Sequence, residues 1–196
     1  MAASSFADHV GKIVENTQLN EKIIHLALSA YQFANKQAVV KKNILTIVDY
    51  SQPSTARRLY VIDLKTDKLL MNTWVAHGRN TGQLLSKHFS NAVESKQSSV
   101  GVFLTEGAYI GKNGHSLVLN GLEKNINHNA KARHLVIHGA DYVSESFIKK
   151  TGRIGRSFGC LAVSAKDIDS LIQLTKNGSV LFSYALQEDS DPFLKG

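Results

Sequence analysis

The chain has one cysteine, two prolines and one tryptophan in 196 residues. With a single thiol no internal disulfide can form, and Cys160 is left as either a small buried apolar side chain or a reactive group. No apolar window reaches the length that spans a bilayer. Met1 to Gly11 also lacks the basic start and apolar core of a secretory signal. Together these absences predict a soluble chain without stable membrane insertion. No internal repeat, low-complexity tract, helix-turn-helix pattern or aromatic-rich RNA-binding signature occurs, so nucleic acid is not an expected partner. Nothing in the pattern specifies an oligomeric state.

What is present is a core-forming composition, 43% hydrophobic, enough at this length for one domain. The formal charge of +7 favours solubility and an anionic partner. Apolar residues at helical spacing from Leu19 to Ala34, with Asn20 as N-cap, predict a docked N-terminal helix. Ile44 to Val48 reads as a short β-branched strand. Leu59 to Leu64 and Leu69 to Ala76, separated by Lys65-Thr66-Asp67-Lys68, read as a hairpin. Gly82 to Ser99 is polar, aperiodic and long, which fits an active-site loop, a flap or a surface excursion equally. Val100 to Thr105, Ser116 to Leu119 and His134 to His138 read as further strands, with Gly107, Gly111, Gly114 and Gly121 marking turns. Alternation puts His134, Val136 and His138 on one face. Ser164-Ala165-Lys166-Asp167 resembles a capping box before a helix ending at Asn177-Gly178, and Ser179 to Tyr184 is a last strand. The expected fold class is mostly β with a few helices and mixed sheets. A helical segment at 1–42 is expected to pack on a domain at 43–196.

The chemistry concentrates between His138 and Ser164. A thiol attacking an amide carbonyl needs a base, donors for the oxyanion and a group that orients the base. Cys160 and His138 meet the first need. The backbone N–H groups of Gly159 and Cys160 are the oxyanion candidates, and the Gly139 carbonyl can orient the imidazole without a carboxylate. Arg153 and Arg156 stand where they can lower the thiol pKa or grip a substrate carboxylate. Read from spacing alone, this pair and a buried Cys with a satisfied core His are about equally supported.

His138-Gly139 followed by Ser157-Phe158-Gly159-Cys160 resembles the H-G…S-x-G-C signature of the L,D-transpeptidase (YkuD-like) catalytic domain. More narrowly, Val75-Ala76-His77-Gly78-Arg79-Asn80, Phe89-Ser90-Asn91, Ser98-Ser99-Val100-Gly101, Val136-Ile137-His138-Gly139-Ala140-Asp141-Tyr142 and Gly155-Arg156-Ser157 resemble the murein branch of that family. The likeness covers roughly Ile44 to Tyr184. It implies a β-sandwich-like fold with an N-terminal helix and one helix after the nucleophile, a periplasmic or cell-envelope setting, and peptidoglycan peptide stems as partner. It also implies that Cys160 attacks the third residue of a tetrapeptide stem and releases D-alanine. His138 then serves as base and acid, and the thioester passes to an amine, giving a 3→3 cross-link, or to water. Arg156, Arg153, Ser157, Phe158, His77 and Arg79 are the implied substrate-binding residues, and neither metal nor organic cofactor is implied. The commoner family pattern has His or a basic residue at the position of Phe158 and Arg soon after the cysteine, where this chain has Leu161-Ala162-Val163.

Other readings differ in residue order. Sortases need an arginine after the cysteine, and none follows Arg156. Papain-like enzymes place Cys before His. A zinc site from Cys160 with His134, His138 or His77 lacks the close paired spacing such sites use. An L,D-carboxypeptidase, or a catalytically silent peptidoglycan-binding module on the same fold, remains compatible with the pattern.

Overall fold

The structure, a computed structural model, describes residues 6–37 and 39–186. The predicted segments 1–42 and 43–196 therefore extend beyond the described residues.

Runs such as Ile44-Leu45-Thr46-Ile47-Val48 are apolar at nearly every position, which suits strands buried on both faces. The strands are β1 (Ile44–Asp49), β2 (Leu59–Asp63), β3 (Lys68–Thr73), β4 (Gly101–Gly111), β5 (Gly114–Gly121), β6 (Val136–Ala140), β7 (Leu161–Ser164) and β8 (Val180–Tyr184). They form one mixed sheet in the order β3-β2-β1-β8-β4-β5-β6-β7. Two pairings are parallel: β1 with β8, and β6 with β7. The second matters for function, because a parallel neighbour needs a crossover, and that crossover carries residues 141–160 out over the sheet.

Four helices accompany the sheet among the described residues: α1 (Phe6–Thr17), α2 (Glu21–Lys36), α3 (Glu145–Thr151) and α4 (Ile168–Thr175). In α2, Asn20 caps the first turn by accepting from the Lys22 N–H, as its position predicts. Ile23, Ile24, Ala27, Ala30 and Ala34 then face Leu45, Ile47, Tyr60, Ile62 and Phe182 on one side of the sheet. The alternate residues Val48, Leu59, Val61 and Leu181 turn to the other side, where α4 contributes Ile168, Leu171 and Ile172. A third, small cluster lies under the crossover, where Val143 and Ile154 cover Ala76 and Ala162.

The sheet nearly closes on itself. Beyond β3 the chain turns along β7, with bridges from Ala76 to Ala162 and from Gly78 to Ser157. The Ala76 N–H donates to the Ala162 carbonyl at 2.8 Å, the Ser157 N–H to His77 at 3.0 Å, and the Arg79 N–H to Ser157 at 2.8 Å.

Several local expectations change. Helix α1 falls within the helical segment expected at 1–42, although the apolar spacing marks only α2, and α3 has no counterpart in the sequence reading. Strands β4 and β5 are longer than predicted, and Gly107 lies inside β4 at a register shift between Thr105 and Ala108, not at a turn. His134 is outside β6, in a left-handed conformation with φ 52, so it does not share a strand face with His138. The capping box before α4 does not form, because Thr73 Oγ1 donates to the Asp167 carboxylate at 2.6 Å.

The connection from β5 to β6 is held by Asn127, which is fully buried. Its side-chain amide donates to the Val100 and Val102 carbonyls, both at 3.0 Å, and its oxygen accepts from the Glu123 N–H at 3.0 Å. Replacing Asn127 with alanine strands these groups in the core and is expected to lower the unfolding free energy by about 2–3 kcal/mol, measured by urea denaturation.

Candidate active site

β6 and β7 bring the histidine and the thiol to neighbouring strands. His138 is opposite Ala162, and Cys160 lies two residues before Ala162, in the bend that enters β7. His138 is 7% exposed. A carbonyl only accepts, so the 2.9 Å contact between His138 Nδ1 and the Gly139 carbonyl puts the proton on Nδ1 and leaves the Nε2 lone pair free. Gly139 stands in a tight place: a Cβ there would lie 3.0 Å from Ile168 Cγ2 and 3.2 Å from the Ala165 Cα, so a larger residue would need these neighbours to give by a few tenths of an ångström.

Cys160 is partly buried, and its Sγ donates to the His134 carbonyl at 3.6 Å. Burial pushes the thiol up from its ordinary value, while the Val136 N–H, the Arg133 guanidinium and the residue's own N–H pull the other way. Burial is the larger effect, so the resting group is the neutral thiol. A base is therefore needed before it can act as a nucleophile.

The turn before the cysteine is built differently from the sequence reading. The Gly159 N–H, read as an oxyanion donor, donates to Ser157 Oγ at 3.1 Å, and that hydroxyl in turn donates to the Cys160 carbonyl at 2.6 Å. Ser157 is 5% exposed and acts as a staple of the turn, not as a substrate contact. His77, compatible in the sequence with a groove or a structural place, is buried as well. It is 1% exposed, and Nδ1 accepts from Arg58 Nη2 at 2.8 Å. The proton is thus on Nε2, which is buried without a well-formed hydrogen bond and has the Gly82 and Gln83 carbonyls as its nearby acceptors.

The remaining predicted contacts do converge. Arg79, Arg153, Arg156 and Phe158 line a cavity of about 280 Å³ together with Tyr142 and Phe147. Arg156 is fixed there by donating to the Arg79 and Gly82 carbonyls at 2.9 and 3.0 Å. A larger cavity of about 740 Å³ opens on the other side of Phe158, bounded by Glu94, Lys96, Lys112, Arg133 and His134. Phe158 is 67% exposed and separates the two, with the Arg79 and Lys96 charges each 5.7 Å from its ring centre.

Two residues near the thiol are not singled out as site residues by the sequence, Tyr142 appearing only inside a quoted motif and Arg133 not at all. Tyr142 lies flat on Gly155, where a Cβ would come within 2.5 Å of its ring, which explains the glycine in Gly155-Arg156-Ser157. Arg133, in an unremarkable basic stretch, reaches the 90–99 loop beside the cysteine. That loop is stitched down, not free: the Gly78 N–H donates to Ser98 Oγ, and Ser98 N–H to Thr81 Oγ1. Among the described residues, no three His, Cys, Asp or Glu side chains converge to hold a metal ion. Nor is any described helix long and apolar enough to cross a membrane.

A profile of the L,D-transpeptidase catalytic domain matches residues 15–184. Among solved structures, an L,D-transpeptidase from Mycobacterium smegmatis is 11% identical with a TM-score of 0.46, over 74% of this chain and 59% of that one. One from Stackebrandtia nassauensis is 18% identical with a TM-score of 0.44, over 82% and 66%. The helical cell shape determining protein Pgp2 from Campylobacter jejuni is 11% identical with a TM-score of 0.46, over 81% and 56%. The chain thus spans between about half and two thirds of the length of these proteins. No curated protein matches it.

Burial and the Arg58 charge lower the His77 pKa from 6.5 to about 4. Between those values the unfolded chain binds the proton and the folded chain does not. Stability from this group is complete above about pH 6.5 and declines by about 3 kcal/mol as pH falls through 4. His77→Gln should remove that component, so urea unfolding of the variant loses less stability between neutral pH and pH 4 than wild type does.

Proposed function

The chain belongs to the L,D-transpeptidase catalytic domain family, and from that premise we propose that it is a cysteine acyltransferase of peptidoglycan peptide stems. The observation that supports this most is the parallel pairing of β6 with β7, which sets His138 opposite Ala162, two residues after Cys160 in the bend that enters β7, while Phe158, two residues before the thiol, lines the arginine-rich cavity. The finer assignment follows from the chemistry of those groups.

His138, with Nδ1–H donated to Gly139, offers Nε2 as the base for the Cys160 proton. The described thiol contact is to the His134 carbonyl, so transfer to His138 requires the thiol to swing toward the imidazole as the donor stem binds. The thiolate attacks the carbonyl of the third stem residue. The Cys160 N–H faces the developing oxyanion, since the Gly159 N–H is engaged by Ser157. His138 returns the proton to the departing amine, D-alanine leaves, and the thioester remains on Cys160. A second stem amine then attacks it, with His138 again taking a proton, and the thiol is released with a 3→3 cross-link.

Arg79, Arg153 and Arg156 suit a stem rich in carboxylates, which also fits the net positive charge. The space on both sides of Phe158 favours two peptides over one, and hence transfer over hydrolysis. A cell-envelope location follows from the substrate.

Incubation with a carbapenem or with tetrapeptide muropeptides, followed by intact-mass spectrometry, tests the reading. Wild type should gain a covalent adduct and release D-alanine, and Cys160→Ala should do neither. His138→Gln should slow D-alanine release by about 10²–10⁴-fold. Identical behaviour of wild type and Cys160→Ala would remove the nucleophile assignment, and tripeptide as the sole product would make the enzyme a carboxypeptidase.

A further inference from the structure

Arg133 holds a charge that its hydrogen bonds do not neutralise. Nη1 donates to the Ser90 carbonyl at 2.5 Å and to Ser99 Oγ, and Nη2 donates to the Gln97 carbonyl at 2.5 Å and Ser95 Oγ at 3.1 Å. All four acceptors are neutral oxygens of the 90–99 loop. Among the described residues, no ion pair involves Arg133. Neutral acceptors satisfy the N–H groups but leave a partly buried unit charge without a counter-charge.

Its neighbour is the nucleophile turn. At Gly159, where φ is +125°, a Cβ would stand 2.9 Å from the Gln97 carbonyl oxygen and 3.3 Å from Arg133 Nη2. The residue before Cys160 is thus pressed flat against the guanidinium and one of its acceptors. On the following side, the carbonyl of His134, next in sequence to Arg133, accepts from Cys160 Sγ. The backbone at 133–134 is itself fixed, with Arg133 N–H donating to the Asn129 carbonyl at 2.8 Å and His134 N–H to Lys131 at 2.9 Å.

We propose that Arg133 is a positioning residue with two duties at the thiol: its fork fixes the 90–99 loop as a wall of the groove, and its charge stabilises the Cys160 thiolate once the proton has left. The proposal rests on Cys160 as the reacting group. It is supported by the mutual effect of the two side chains, each favouring the charged form of the other. The other titratable groups facing the thiol offer no substitute. Tyr50, after β1, and Tyr142, after β6, are both pushed up, mainly by burial, the latter to about 12, and stay neutral phenols. His138 on β6 is the base and becomes cationic only by taking the proton.

The test is the pH dependence of Cys160 alkylation by iodoacetamide in wild type, Arg133→Met and Arg133→Lys, with hydrogen exchange read over residues 90–99. Arg133→Met should move the alkylation profile to higher pH and slow the reaction roughly tenfold at pH 7. Arg133→Lys keeps a charge but not the fork, so its profile should stay near wild type. Exchange in the loop should quicken in both variants. A residue of purely structural importance would alter exchange and leave the profile alone. Coincident profiles for wild type and Arg133→Met therefore overturn the electrostatic duty, and unchanged loop exchange overturns the clamp. Where Arg133→Met does not fold, Arg133→Gln, which keeps a hydrogen-bonding group and removes the charge, takes its place: a profile displaced to higher pH supports the electrostatic duty, and a native profile overturns it. Iodoacetamide needs no acyl donor, so this result is independent of whether peptidoglycan stems are the substrate.

Discussion

The structure depends on the seam where the sheet meets itself. Ala76 and Gly78, coming from beyond β3, lie against Ala162 and Ser157 on the approach to β7. Backbone hydrogen bonds across this seam fix both ends of the turn that bears Cys160, and they need small residues to approach so closely. Gly78 is also pressed from the loop side, where a Cβ would meet the Lys96 carbonyl at 2.5 Å. The seam also explains the buried Arg58, whose Nε and Nη2 donate to the Val75 carbonyl at 3.1 and 3.0 Å just before it, while Nη2 also holds His77. The residue most like a second catalytic histidine is thereby a strut behind the seam.

The parts of the fold visible in the sequence are those set by local rules. Lys65-Thr66-Asp67-Lys68 is a turn because Asp67 tolerates a left-handed backbone, here φ 55. Asn20 caps because its side chain reaches the second N–H of the helix. Long-range partners overrode local rules elsewhere. Asp167 has the right spacing for a capping box, but a hydroxyl ninety-four positions away on Thr73 takes its carboxylate. Gly107 has the composition of a turn, yet β5 pairs through it and leaves a bulge.

The candidate site divides along the same line. Cys160, His138 and Gly139 were legible because glycines and residue order mark them. Phe158 and the arginines 79, 153 and 156 followed from charge and from family likeness. Arg133 was not, and Tyr142 appeared only inside a quoted motif, since the importance of both lies in what folds against them. Several quoted motif residues serve the scaffold more than the groove: Ser90 and Ser99 receive Arg133, Asn91 accepts from the Asn129 N–H at 3.0 Å, and Ser98 receives Gly78.

The elevated pKa of Cys160 has a consequence outside catalysis. Oxidants attack the thiolate far faster than the thiol, and sulfenic acid is the first step toward irreversible loss. With one cysteine in this sequence, the sulfenic acid cannot be captured as a disulfide within it. Keeping the sulfur protonated until a base is engaged gives it chemical longevity. The same burial that makes the group slow to react unaided also shields it from oxidants.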